Sequence, residues 1–153
     1  LGIKVFKNPE VFVFNSKSFF IGHGDGLGPG DKGYKRMKLI LSNPFFIWLF
    51  RLIHPDIGIS LGKYFSQKNK LIYGEKDVDF KGEDNEWLIR YSKKKLTEDH
   101  IDYFIFGHRH FPIVHQLKSK SKYINLGDWI THFTFGVFDG KTFNLRNYLK
   151  KND

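Results

Sequence analysis

The segment Tyr103-Phe104-Ile105-Phe106 runs straight into Gly107-His108-Arg109-His110, and no other feature constrains the chain as much. Four consecutive apolar residues bounded by a glycine read as a short strand covered on both faces, which requires layers above and below its sheet. A second strand-like segment, ending Phe19-Phe20-Ile21, runs in the same way into Gly22-His23-Gly24-Asp25. In open α/β sheets the loops at the carboxyl ends of strands are where sites form. Two His spaced i, i+2 in extended chain point to opposite sides. In a turn after a glycine, which lets the backbone bend sharply, both can instead reach one centre or two adjacent centres. The alternative is a pair of histidines on a loop surface.

The rest of the pattern fits a sheet-rich α/β sandwich and not a bundle. Val11, Val13, Phe19 and Ile21 alternate around Asn15-Ser16-Lys17, a hairpin signature. Residues 34 to 50 turn helical and apolar, with a break at Ser42-Asn43-Pro44, where Pro44 suits a first-turn position. A third helix is expected from Pro55 to Phe65, followed by a polar stretch over 66–70. Residues 84–95 read as an amphipathic helix with Trp87, Leu88, Tyr91 and Leu96 on one side. Strands are expected at 103–106, 111–117, 121–126, 132–138 and 142–148, with Asp139-Gly140 as a hairpin turn.

The composition narrows the chemistry. The 153 residues contain no Cys, which excludes disulfides, thiolate metal sites and cysteine nucleophiles. A metal must therefore be held by N and O ligands, a set suited to Mn, Mg, Fe or Zn. A net charge of +9 favours anionic partners or a solvated lysine face. Aromatic residues make up 18% of the chain and fall mainly in strand and helix segments, which argues against a nucleic-acid groove of interleaved Lys and aromatics. No apolar run reaches the roughly 18 residues of a membrane span. The chain opens at Leu1 without Met and is expected to be part of a longer protein.

Gly22-His23-Gly24-Asp25 and Gly107-His108-Arg109-His110 resemble the last two motifs of the calcineurin-like metallophosphoesterases. The subfamily that the chain resembles more closely is the UDP-2,3-diacylglucosamine diphosphatases of lipid A biosynthesis. That closer likeness is carried by Asp31 and Tyr34 at Asp-x-x-Tyr spacing and by the apolar helical insert after them. Lys63, Ser66, Asn69 and Lys70, and the stretch Tyr123-Ile124-Asn125-Leu126-Gly127-Asp128-Trp129, complete it. The resemblance implies a sandwich of β-sheets flanked by helices, residues 1–153 forming the C-terminal portion of one domain with a lid-like insert at about 34–70. It implies two divalent metal ions, Mn2+ foremost, with His23 and His108 on one ion and His110 on its neighbour. Asp25 and Asp128 are candidates for orienting those histidines, and Asp31, Tyr34, Lys63, Ser66, Asn69 and Lys70 for binding substrate.

The subfamily's earlier Asp-x-His, Gly-Asp and Gly-Asn-His motifs have no counterpart here, so an upstream segment is expected to supply the Asp and Asn ligands. The implied activity is hydrolysis of UDP-2,3-diacylglucosamine to UMP and 2,3-diacylglucosamine 1-phosphate. The implied location is cytoplasmic, peripheral on the inner face of the bacterial inner membrane. Another phosphoester substrate, or a non-catalytic basic fragment that binds membrane or nucleic acid, are the alternatives. Pro44 to Phe50 reads as a buried core helix, an acyl-chain chamber or an interfacial segment. The remaining histidines, His54, His100, His115 and His132, read as structural or exposed.

Overall fold

The computed structural model describes residues 2–28, 32–73, 79–80 and 82–149, the side chains of 32–34, 66, 68–73 and 119 excepted. It divides into two units, residues 29–78 forming one and the remainder the other.

The larger unit is built on a five-stranded mixed sheet of order β1-β2-β3-β5-β4. β1 (Glu10–Phe14) and β2 (Lys17–Ile21) form the expected hairpin. Their turn residues Asn15 and Ser16 both take positive φ, 46° and 61°, the backbone that matches strand twist in a two-residue hairpin. β2 then pairs parallel with β3 (Tyr103–Phe106), and β3 parallel with β5 (Lys122–Leu126). β4 (Pro112–Gln116) closes the far edge antiparallel to β5. A separate hairpin joins β6 (Thr134–Phe138) to β7 (Phe143–Asn147).

All four residues of β3 are buried, and alternation sends them to two cores. On one face Phe20, Phe104, Phe106 and Tyr123 pack with Leu88 and Ile89 of α4 (Trp87–Lys95). On the other, Phe19, Tyr103, Ile105 and Ile124 pack with Phe138, Phe143 and Leu145 of the β6–β7 hairpin. The order is helix, sheet, hairpin. Leu88 and Ile89 are 1% and 0% exposed, worth about 1.5–3 kcal/mol each against leaving them in water. Within that buried stripe of α4, Ser92 satisfies its hydroxyl on the Leu88 carbonyl at 2.8 Å.

The smaller unit is helical: α1 (Lys32–Leu41), α2 (Pro44–Arg51) and α3 (Pro55–Tyr73). The break at 42–44 falls where expected. Asn43 caps α2 by accepting from the Phe45 N–H at 2.9 Å, and Pro44 opens the helix, a position at which its missing N–H costs nothing. α3 continues to Tyr73, past the expected end at Phe65. Residues 66–70 are polar but contain no Gly or Pro, and Gln, Lys and Asn do not stop a helix that already has a nucleus.

Candidate metal-binding edge of the sheet

Because β2, β3 and β5 are parallel neighbours, their carboxyl ends lie side by side at one edge of the sheet. The histidine loops continue the strand pairing past the strands themselves. The Gly22 N–H donates to the Ile105 carbonyl at 3.1 Å, and the Gly107 N–H to the His23 carbonyl at 3.0 Å. The His23 and His108 rings therefore meet, centroids 5.4 Å apart and nearly perpendicular at 87°.

One glycine permits this approach. A Cβ on Gly24, whose φ is +106°, would lie 3.1 Å from the His108 Cβ and 3.0 Å from a Leu88 methyl. At Gly107 a Cβ would make only ordinary contact with His23 Nδ1, 3.7 Å away. Trp87, the first residue of α4, brings its ring to 5.9 Å from His108. His108 is half-buried, while His23 and His110 are exposed.

Between the histidines, Arg109 turns inward and is 5% exposed. One guanidinium nitrogen donates to both carboxylate oxygens of Glu86, at 2.7 and 2.9 Å, and another to the Asp79 carbonyl at 3.0 Å. Glu86, the N-cap of α4, is itself 3% exposed. Asn125 on β5 closes the turn from the other side. Its amide oxygen accepts from the Arg109 N–H at 3.3 Å, and its NH2 donates to the carbonyls of Arg109 and Phe111, the latter at 2.8 Å. Neither Glu86 nor Asn125 figures among the residues expected from sequence. An Asn inside an otherwise apolar strand, and a Glu directly before an amphipathic helix, were the available signals.

The other expected residues lie as follows. Asp25 is half-buried in the turn that follows His23. Asp128 turns back on its own loop, accepting from the N–H groups of Ile130, Thr131 and His132 and pairing with His132 Nδ1 at 2.9 Å. These bonds, that from Thr131 foremost and the His132 ring next, hold its carboxyl well below the usual carboxylate range. Its oxygens thus serve the turn after β5 and orient His132, whose ring stands edge-on to Phe111 at 5.6 Å. Lys63 lies on the exposed side of α3. Tyr34, Ser66, Asn69 and Lys70 fall on helical backbone with side chains outside the described residues, as does the whole of Asp31.

Among the described residues, no three His, Asp or Glu side chains form a group that would hold a metal ion. His23 and His108 are brought together, and His110 does not complete a trio with them. Two adjacent imidazoles are nevertheless nitrogen ligands of the kind a divalent cation of the N/O class takes, since neutral histidine binds such ions well.

Within the helical unit, α2 has no buried residue, so a core helix does not describe its place in that unit. Ile40, Leu41, Phe46, Ile47 and Phe50 line an apolar groove of about 530 Å3, and Trp48 is 55% exposed. Among the described residues no helix is long and apolar enough to cross a membrane.

A mixed sheet with α4 packed on one face, its histidine-bearing loops gathered at one edge, is compatible with a metallophosphoesterase-like fold. No protein-family model matches the chain. Curated proteins named UDP-2,3-diacylglucosamine hydrolase do match, and the chain is a homologue of them. That of Porphyromonas gingivalis is 30% identical over 160 aligned positions, covering 96% of this chain and 61% of the relative. Those of Pseudomonas fluorescens and Pseudomonas putida are 27% and 24% identical, each over 84% of this chain and covering 51% and 53% of the relative. The chain spans between half and two thirds of the length of these relatives.

Proposed function

We propose that this chain carries the histidine part of the active site of a metal-dependent pyrophosphohydrolase acting on UDP-2,3-diacylglucosamine. The observation that carries the reading is the His23–His108 ring pair at the carboxyl edge of adjacent parallel strands, in a chain homologous to hydrolases named for that substrate. His23 and His108 hold one divalent ion, Mn2+ foremost, and His110 serves a second. The Asp and Asn ligands come from a preceding segment, in keeping with relatives longer than this chain. When bound, such a pair of cations supplies Lewis-acid polarisation of the phosphoryl oxygens and activates the attacking water.

The chain's own residues provide placement. Strand pairing fixes the two histidine loops against each other, and Arg109, held inward, leaves its neighbours outside the core. Water adds to the phosphorus of the uridylyl group and the bridging P–O bond breaks, giving UMP and 2,3-diacylglucosamine 1-phosphate. The apolar groove of the insert takes acyl chains, and Asp31, Tyr34, Lys63, Ser66, Asn69 and Lys70 contact the sugar and phosphates. Asp25 steadies the His23 loop. Exposed aromatics on α2, with Lys35, Arg36, Lys38 and Arg51 nearby in sequence, suit a peripheral position on the anionic cytoplasmic face of the inner membrane.

The test is release of UMP from UDP-2,3-diacylglucosamine by the full natural protein with Mn2+. Activity lost in His108→Ala and His110→Ala supports the reading. Activity unchanged in both, or hydrolysis only of an unrelated phosphoester, contradicts it.

A further inference from the structure

A group of buried polar side chains stands behind the histidine turn. Glu86 and Arg109 are 3% and 5% exposed and joined by two hydrogen bonds from one guanidinium nitrogen, at 2.7 and 2.9 Å. Arg109 also reaches the Asp79 carbonyl at 3.0 Å, so its fork ties together the two ends of the segment 79–86. On the opposite side Asn125, 0% exposed, binds the main chain of Arg109 in both directions and the carbonyl of Phe111. Residues 108–110 form no strand or helix. Their conformation therefore depends on these side chains.

A buried ion pair is a costly way to stabilise a fold, since well-packed apolar groups of similar volume do as well or better. What it supplies is direction. A guanidinium fork meets a carboxylate in one geometry, and the residue so fixed lies between the two expected ligands His108 and His110. Asn125 fixes the same turn through its peptide groups, so side chain and backbone are held from separate elements, α4 and β5. Burial of the central side chain commits the flanking residues to the outer side of the turn, where His108 meets His23.

We infer that Glu86 and Asn125, acting through Arg109, are positioning residues that set the His108-Arg109-His110 turn for metal binding. This rests on the metal reading of the histidines given above. Groups that orient ligands in this way are worth about 10–100-fold in metal affinity when removed.

The test uses the full natural protein, with Mn2+ affinity measured by isothermal titration and amide hydrogen exchange at Arg109 followed by NMR without metal. Glu86→Gln is expected to weaken Mn2+ binding by about tenfold or more and to speed exchange at the Arg109 N–H by a similar factor, with the far-UV spectrum retained. If Glu86→Gln does not fold, Arg109→Lys, which keeps the charge but loses the fork, is expected to show the same two effects. Glu98→Gln, altering the exposed Lys95–Glu98 pair, is expected to change neither. A folded Glu86→Gln or Arg109→Lys with unchanged affinity and unchanged exchange overturns the inference.

His108→Ala separates the two layers of argument. If it abolishes Mn2+ binding while Glu86→Gln leaves binding and exchange intact, the positioning role fails and the metal site stands. If His108→Ala leaves binding unchanged, or the full natural protein binds no Mn2+, the metal reading fails and the inference fails with it.

Discussion

Glu86→Gln offers a stability experiment whose size follows from the structure. The substitution keeps volume and one hydrogen-bond acceptor but removes the charge facing Arg109, a guanidinium only 5% exposed. Breaking a buried pair by removing one partner costs about 3–5 kcal/mol, because the remaining charge is left in a medium that solvates it poorly. Against a domain stability of about 5–15 kcal/mol, that is at least about a fifth of the total. Replacing both members, as in Glu86→Leu with Arg109→Met, is expected to recover most of the loss, since no charge is then stranded. Urea unfolding is the assay, with Trp87, the next residue along from Glu86, as a fluorescence reporter. A single-variant loss below about 1 kcal/mol, the range of exposed ion pairs, would refute the claim that losing Glu86 strands a buried Arg109 charge.

Three further outcomes are expected. Gly24→Ala forces φ of +106° on a residue with a Cβ and places that Cβ 3.1 Å from the His108 Cβ. It should cost about 1–3 kcal/mol and shift the His108 ring resonances, whereas Gly2→Ala, at an open position, should leave those resonances alone. Burial raises the Asp102 carboxyl, but the Ser18 N–H, the Lys17 ammonium and the Ser18 hydroxyl outweigh it and bring the group below its usual 3.8. Its stabilisation is therefore present above the usual 3.8 and lost as pH falls through the lowered folded value; Asp102→Asn should flatten that acid limb in thermal melts taken from pH 5 down to 2. Burial foremost, and then the Glu86 charge, push the Tyr123 phenol up. In an alkaline absorbance titration it should be the last of the seven tyrosines to ionise, and an early titration of Tyr123 would contradict its packing.

The fold was legible where periodicity and punctuation agreed. The run at 103–106, the hairpin around Asn15-Ser16 and the break at Pro44 each carry a signal that is local and unambiguous, and all stand where expected. The end of α3 was not, because polar residues such as Gln67 reduce hydrophobicity without interrupting a helix. At the site, the glycines beside His23 and His108 announced close approach, and the rings do meet. Arg109 gave no hint of its direction. A charged residue between two histidines reads as solvent-facing, and only the distant Glu86, 23 positions earlier, makes its burial tolerable. The bonding of Asp128 was hidden for a related reason: sequence shows a carboxylate near the motif but not that three backbone N–H groups of its own turn engage it. Long-range pairing of this kind leaves no local period to read.

The central claim is that His23 and His108 share a metal ion. The most direct measurement is an anomalous difference map from crystals of the full natural protein grown with Mn2+. A peak between the two rings, within coordination distance of a nitrogen from each and lost in His108→Ala crystals, is the result expected. Ordered density for both rings with no peak between them, or a peak confined to His54, His100, His115 or His132, would contradict it.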